Sequence, residues 1–243
     1  MKVLSWNILA NEYIKKKYYP DVKEELLNRE DRFKIISDNL EIISADIILL
    51  QEVMTEEHNK LKEIFDDKYY ISPLIPILWK GYKPGESGNV TMLKRTRINN
   101  IKYKALDSMN YIKCRYKNKK LYIINIHLDD SSDVRRLEQV ENIIKKVKKS
   151  DKVVIGGDCN EEYKKSSGIY KVFEENNFNI SITDFTYFIE KQMKIDNIFY
   201  KGFKLKESRV NNICGKRSVK NINCQLENYG SDHFPILVKL KNS

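Results

Sequence analysis

Six places in this sequence set a carboxylate, an amide or an imidazole where an apolar run stops. Asn7 follows the run at 3–6, Gln51-Glu52 the run at 46–50, and His127 the run at 121–126. Gly156-Gly157-Asp158-Cys159-Asn160 follows residues 153–155, Ser231-Asp232-His233 precedes residues 235–240, and Asp196 lies inside the run at 195–200. Carboxylates and amides are hard oxygen donors suited to Mg²⁺ or Mn²⁺, whereas a zinc site would draw on more His and Cys. Beside such a cation an imidazole can neutralise charge on phosphoryl oxygens and a carboxylate can position an attacking water. The set therefore points to hydrolysis of a phosphate ester. Of the three histidines, His127 and His233 fall within it. His58, in Thr55-Glu56-Glu57-His58-Asn59, reads as a solvated helix residue.

Each member also has an ordinary structural reading. Asn7 suits a turn cap, Glu52 an ion pair, and Gly-Gly-Asp-Cys-Asn a plain turn. Ser231-Asp232 suits a cap, although Phe234-Pro235-Ile236 after it reads as strand. Asp196 resists such a reading, because a buried carboxylate is costly without a partner, and a nearby imidazolium would supply one. Six separate coincidences are a poorer account than one shared site.

The elements that must carry these residues alternate in type. Residues 3–6, 46–50, 90–93, 121–126, 153–155, 195–200 and 235–240 read as strands, the continuous apolar run at 46–50 as one buried on both faces. Phe33, Ile36, Leu40 and Ile43 recur at helical steps over 29–43. Val134, Leu137, Val140, Ile144 and Val147 mark a second amphipathic helix with Lys145, Lys146, Lys148 and Lys149 on its wet side, and residues 168–177 a third. Such alternation makes a layered α/β domain and leaves a doubly wound sheet open as an arrangement. In either case strand edges can converge on one rim, where α/β proteins build sites.

Composition narrows the class. The 243 residues include 44 Lys and Arg against 34 Asp and Glu, a formal net charge of +10. That excess suits a polyanionic partner, and equally a Lys-rich solvated surface. At 41% hydrophobic and 11% aromatic residues the chain can fill a core, which excludes global disorder. No apolar run approaches the ~18 residues of a membrane-spanning helix. The start lacks a signal-peptide pattern and reads as a strand. No linker or repeat marks a boundary, so residues 1–243 are expected to form a single catalytic domain. Cysteines 114, 159, 214 and 224 show no Cys-x-x-Cys spacing, so reduced thiols are the default, with a Cys214–Cys224 disulfide left open. These signals lead to the expectation of a monomeric, cytoplasmic protein, with the nucleus as the alternative and no membrane partner.

In order, Trp6-Asn7, Leu50-Gln51-Glu52-Val53, Asn125-Ile126-His127-Leu128, Gly157-Asp158-Cys159-Asn160, Ile195-Asp196 and Ser231-Asp232-His233 resemble the endonuclease/exonuclease/phosphatase superfamily. The resemblance implies a DNase I-like four-layer α/β sandwich, with two mixed sheets face to face and helices outside. It implies Mg²⁺ (or Mn²⁺) held by Glu52 with Asn7 beside it and Asp232 near, and Asp158 orienting and deprotonating the attacking water. It further implies Asn160 and His127 on the scissile phosphate, and His233 stabilising the transition state with Asp196 holding its ring. Asp158→Asn and His233→Ala would then lower kcat by orders of magnitude with little loss of fold.

Within the superfamily, Ser5-Trp6-Asn7-Ile8-Leu9-Ala10-Asn11-Glu12-Tyr13, Asn28-Arg29-Glu30-Asp31-Arg32 and Phe185-Thr186-Tyr187-Phe188 resemble the deadenylase-like branch of nocturnin and angel type. This resemblance implies an RNA 3′ exonuclease. The branch's adenine-stacking aromatic falls near Lys191 here, and Phe188 offers a substitute, so Phe188 and Lys191 are the candidate substrate contacts. Val90-Thr91-Met92-Leu93-Lys94-Arg95 resembles instead the tyrosyl-DNA phosphodiesterase-like branch, which leaves 5′-tyrosyl-DNA cleavage or a DNA endonuclease as alternatives. RNA is thus expected before DNA. A reading of another class is a catalytically inactive nucleic-acid-binding module, for which Lys15-Lys16-Lys17-Tyr18-Tyr19 and the run from Lys113 to Lys120 supply cations mixed with Tyr.

Overall fold

The computed structural model describes residues 1–77, 87–106, 109–147, 149–150, 152–164, 168–181, 184–188, 192–211, 214 and 222–242. The strands are Lys2–Asn7 (β1), Ile47–Met54 (β2), Tyr69–Ile71 (β3), Ile75–Pro76 (β4), Ser87–Lys94 (β5), Ile98–Leu106 (β6), Met109–Tyr116 (β7) and Lys119–His127 (β8). They continue with Val153–Asp158 (β9), Asn179–Ile180 (β10), Tyr187–Phe188 (β11), Gln192–Met193 (β12), Asp196–Lys201 (β13), Phe203–Val210 (β14) and Ile236–Asn242 (β15). Helices occupy Arg29–Ile43 (α1), Thr55–Phe65 (α2), Asp133–Val147 (α3), Gly168–Glu175 (α4) and Ile222–Tyr229 (α5).

One sheet has the order β14-β15-β1-β2-β5-β3 with β4 against β5, and the other β10-β13-β9-β8-β7-β6. Each holds one parallel pair, β1–β2 and β8–β9, among antiparallel neighbours. The doubly wound arrangement is therefore excluded, since the strands form two mixed sheets and not one. Side-chain alternation along β2 shows how the layers assemble. Ile48 and Leu50 pack among Phe33, Leu40 and Leu61 of α1 and α2, while Ile47 and Leu49 meet Ile123, Val154 and Ile198 of the facing sheet. On the far side, Val153 and Ile155 pack with Val140 and Ile144 of α3 and Phe173 of α4. The result is helix, sheet, sheet, helix. Both sides of β2 are buried, which is why its sequence is apolar at successive positions.

The helices begin and end for local reasons. Asn28 caps α1, its side chain accepting from the amides of Glu30 and Asp31 at 2.9 and 3.2 Å, and Ser44 ends the helix in the left-handed region. In α3 the buried face is Arg136, Val140, Ile143 and Val147, and Val134 stands 66% exposed. Six residues before Val140, it falls well off that face, so the sequence reading of Val134 as a core position is corrected. The third helix ends at Glu175, two residues short of its expected extent.

Two further expectations change. His58 is buried and not solvated, its Nε2–H donating to the Ser72 carbonyl at 2.8 Å. Burial holds this imidazole below its ordinary 6.5. Its folded value lies under the unfolded one, so its contribution to stability is present above about 6.5 and is lost as pH falls through the lowered value. Urea denaturation across that range should show a shallower fall for His58→Gln than for the wild type. Cys214 and Cys224 are joined in a disulfide, so only Cys114 and Cys159 are free thiols.

Gly157 cannot be replaced without cost. It has φ +153°, and a Cβ there would lie 1.8 Å from the carbonyl oxygen of Ile126 on the parallel neighbour β8. Gly157→Ala should lower stability by roughly 3 kcal/mol, read as a drop in the denaturation midpoint. This close approach brings the ends of β8 and β9, His127 and Asp158, into register.

Candidate active site

Strand ends carry the site. β1 and β2 run parallel, so Asn7 and Gln51 lie side by side where β1 ends. The β2–β5 ladder then slips between Leu50 and Val53, and Glu52 takes φ 57°. This bulge turns the Glu52 carboxylate toward β1, where Oε1 accepts from Asn7 Nδ2 at 2.8 Å and Oε2 from the Ala10 amide at 2.9 Å. Asn7 Nδ2 also reaches Asp158 Oδ2 at 3.1 Å, so one amide spans both sheets. Asp158 is oriented from its other side by the Asn160 amide, which donates to Oδ1 at 2.8 Å. Asn160 has φ 48°, and its Nδ2 donates to the Leu128 carbonyl at 2.9 Å. Leu9, Glu52 and Asn160, three left-handed non-glycine residues, thus all stand at this rim.

The two imidazoles face the same carboxylate oxygen. His127 Nε2 lies 3.7 Å and His233 Nε2 3.8 Å from Asp158 Oδ2. His233 Nδ1 is 2.8 Å from Asp196 Oδ2, the imidazole partner that the buried aspartate required. Burial alone would push the His233 imidazole down, but Asp196 outweighs it, helped by Asp232 and Asp158, and raises it to about 10. His233 therefore carries a proton at neutral pH. Burial shifts His127 the other way, below its ordinary value, against the pull of Glu52. Burial also raises the Asp158 carboxyl to about 6, with Asp196 adding to the rise and His233 opposing it. Glu52 and Asp232 are raised as well, chiefly by burial.

Residues 4–233 match the Endonuclease/Exonuclease/phosphatase family. The chain belongs to that family. Members of the Endonuclease/Exonuclease/phosphatase family are hydrolases of phosphate esters, so the chain is a hydrolase by descent. Among solved structures it is similar to ANGEL2, described as a 2′,3′-cyclic phosphatase, in complex with adenosine-2′,3′-vanadate. The TM-score is 0.77 at 16% identity, over 98% of this chain and 94% of that one. The human nocturnin catalytic domain with bound sulfate gives 0.72 at 16%, over 100% and 93%. D. rerio TDP2 with a single-strand DNA product gives 0.67 at 15%, over 100% and 99%. These likenesses show a shared fold. None of the curated proteins matches the sequence.

Eight of the ten residues that the sequence singled out meet at this rim: Asn7, Glu52, His127, Asp158, Asn160, Asp196, Asp232 and His233. Lys191 lies outside the described residues, and Phe188 is placed by its backbone in β11, paired with Gln192. The run from Lys113 to Lys120 is not part of the site. It forms the β7–β8 turn, at the opposite end of β8 from His127, roughly 27 Å away at strand spacing.

The donor set fits a divalent cation of the Mg²⁺ type. Glu52, Asp158, Asp196 and Asp232 are four buried carboxylates, only partly balanced by the His233 imidazolium and the buried Arg32. Asp232 Oδ1 has no hydrogen-bond partner among the described residues although it is buried. All these donors are hard oxygens. Asp158, Asp196 and His233 bring donor atoms within 4.8 Å of one another. Because Asp196 already engages His233 Nδ1, those three suit proton handling better than metal ligation, and Glu52, Asn7 and Asp232 are the better cation ligands.

Four supports escaped the sequence reading. Arg32 donates from Nε to the Gly230 carbonyl at 2.8 Å and from Nη2 to the carbonyls of Ile8 (2.9 Å) and Leu9, tying the loop after β1 to the loop before β15. Thr186 accepts from the Asp196 amide at its hydroxyl (3.2 Å) and from the Phe234 amide at its carbonyl (2.7 Å), bracing the Asp196–His233 pair. Tyr187 places its ring 4.8 Å from that of His233. Arg32 and Thr186 were visible only as motif letters; their contacts cross 198 and 10 residues of chain. Tyr19, the fourth, donates its phenol to Asp232 Oδ2 at 3.2 Å.

Proposed function

We propose that this protein is an Mg²⁺-dependent phosphodiesterase of nucleic acid, with RNA 3′ ends as its first substrate class. The observation that carries this reading is the approach of both imidazoles to Asp158 Oδ2. At 3.7 and 3.8 Å neither is directly bonded to it, separations that an intervening oxygen atom bridges. That geometry suits an attacking water beside a phosphoryl oxygen.

In this reading Asp158, at about 6 a stronger base than an ordinary aspartate, orients the water and takes its proton. His233 donates from Nε2 to a phosphoryl oxygen as negative charge grows there, while its Nδ1–H is held by Asp196. His127 and the second Nδ2–H of the Asn160 side chain contact the remaining phosphoryl oxygens. Glu52, Asn7 and Asp232 would hold the cation, which supplies charge neutralisation at the scissile phosphate.

RNA is favoured over phosphotyrosyl DNA by where the resembling segments lie. Residues 5–13 and 185–188, which resemble the deadenylase-like branch, include Asn7 and the Thr186–Tyr187 brace. The segment at 90–95, which resembles the tyrosyl-DNA branch, leads away from the site: Lys94 bonds Ser44 and Arg95 pairs with Asp66. The test sets labelled poly(A), mixed-sequence RNA, 2′,5′-oligoadenylate and a 5′-phosphotyrosyl DNA side by side in Mg²⁺ and in EDTA. RNA shortened from the 3′ end in Mg²⁺ only is the expected result. A strong preference for phosphotyrosyl DNA overturns the RNA reading, and binding without cleavage of any substrate overturns the enzymatic one.

A further inference from the structure

A cavity of about 970 Å³ opens over the site. Its lining joins Glu52, His127, Asp158, Asp232 and His233 to the segment after β1, through Tyr13, Lys15, Lys17, Tyr18 and Tyr19. This segment is fixed in place. Its amides of Tyr18, Tyr19 and Val22 donate to the carbonyls of Lys15, Lys16 and Tyr19 at 2.8, 3.1 and 3.2 Å. Tyr19 and Val22 are buried with Leu9 and Leu226, and the Tyr19 phenol bonds Asp232. The three consecutive lysines have different fates. Lys16 turns onto the Val22 carbonyl, whereas Lys15 and Lys17 line the cavity.

The charge balance of the cavity makes that pair informative. Its lining includes Asp21, Glu52, Asp130, Asp158 and Asp232, and among the described residues Lys15 and Lys17 are its only lysine or arginine side chains. The protonated His233 and a cation would serve the scissile phosphate, so attraction for the phosphates beside it falls to this segment. Tyr18 stands 50% exposed there, with the Lys17 ammonium 4.6 Å from its ring centroid. Cations alternating with an exposed aromatic ring are the chemistry of single-strand binding, in which phosphates meet ammonium groups and unstacked bases meet rings.

We propose that residues 13–19 are a clamp for single-stranded nucleic acid, with Lys15 and Lys17 on backbone phosphates flanking the scissile one and Tyr18 against a base. Tyr19 is its positioning residue, locking the clamp to the site through Asp232. The clamp rests on the nucleic-acid reading above and assigns the substrate strand its path.

The test measures anisotropy of a labelled short single-stranded RNA on Asp158→Asn protein in Mg²⁺, between about 50 and 200 mM salt. Adding Lys15→Ala with Lys17→Ala should raise Kd at least tenfold and flatten the slope of log K against log salt by about 1.4, since each phosphate contact on a single strand contributes about 0.7. Tyr18→Ala should raise Kd about tenfold with the slope unchanged. Lys145→Ala with Lys146→Ala removes the same charge from the exposed side of α3 and should leave Kd and slope as they were. RNA binding that responds equally to the two double substitutions overturns the clamp while the nucleic-acid reading stands. A wild-type protein that hydrolyses bis(p-nitrophenyl) phosphate but binds no oligonucleotide overturns that reading, and the clamp with it.

Discussion

Asp158→Asn should lower kcat by about a thousandfold, the contribution expected of a positioned general base, and leave the protein folded. Asn cannot take the proton, yet it fills the same volume and can still accept from the Asn160 amide, as Asp158 Oδ1 does at 2.8 Å. Stability carries a second, independent signal. Burial first and Asp196 second raise the Asp158 carboxyl from 3.8 to about 6, against His233. The folded chain thus holds this proton more tightly than the unfolded one. Its stabilising contribution is full below about 3.8 and is lost as pH rises through about 6. In EDTA the variant should therefore melt no lower than the wild type above about pH 6, with any advantage shrinking as the pH is lowered. Single-turnover kinetics with a calorimetric pH series measures both. A kcat within tenfold of wild type would remove Asp158 from the reaction.

His233→Ala should lower kcat by about 100- to 1000-fold, the usual cost of losing one donor to a developing phosphoryl charge. Here the structure changes the sequence expectation of an intact fold. Asp196 is buried, its Oδ2 bonds only His233, and its Oδ1 has no hydrogen-bond partner among the described residues. Truncating the ring leaves an uncompensated carboxylate, at a cost of roughly 3–5 kcal/mol. Adding Asp196→Asn removes that charge, so the double variant should regain most of the lost stability and none of the activity. Urea denaturation of the two singles and the double gives the coupling. Recovery of turnover in the double variant, or no loss of stability in His233→Ala, would show that the pair does not act as drawn.

Much of this protein was legible from residues alone, because its signals are local. Strand apolarity, the helical steps of Phe33, Ile36, Leu40 and Ile43, and the arrest of each run at Asn7, Glu52, His127 or Asp158 are written in a few consecutive letters. Several structural readings also turn out to coexist with the site. Asn7 caps its turn, with Oδ1 accepting from the Leu9 amide at 3.0 Å, while its Nδ2 spans Glu52 and Asp158. Asp158 makes a side-chain turn with Asn160 and still faces both imidazoles. The Lys-rich runs could not be told apart by composition. Lys15 and Lys17 line the cavity, and the run from Lys113 to Lys120 lies at the far end of β8.

The sequence by itself determined which chemical groups the site contains, since residue types and the ends of apolar runs are properties of short stretches. Only the tertiary structure decided how they act. Face-to-face packing of the two sheets brings Asp196 to His233 across 37 residues and Asn7 to Asp158 across 151. Burial then sets their protonation, because the cost of desolvating a charge depends on what surrounds it and not on its neighbours in the chain.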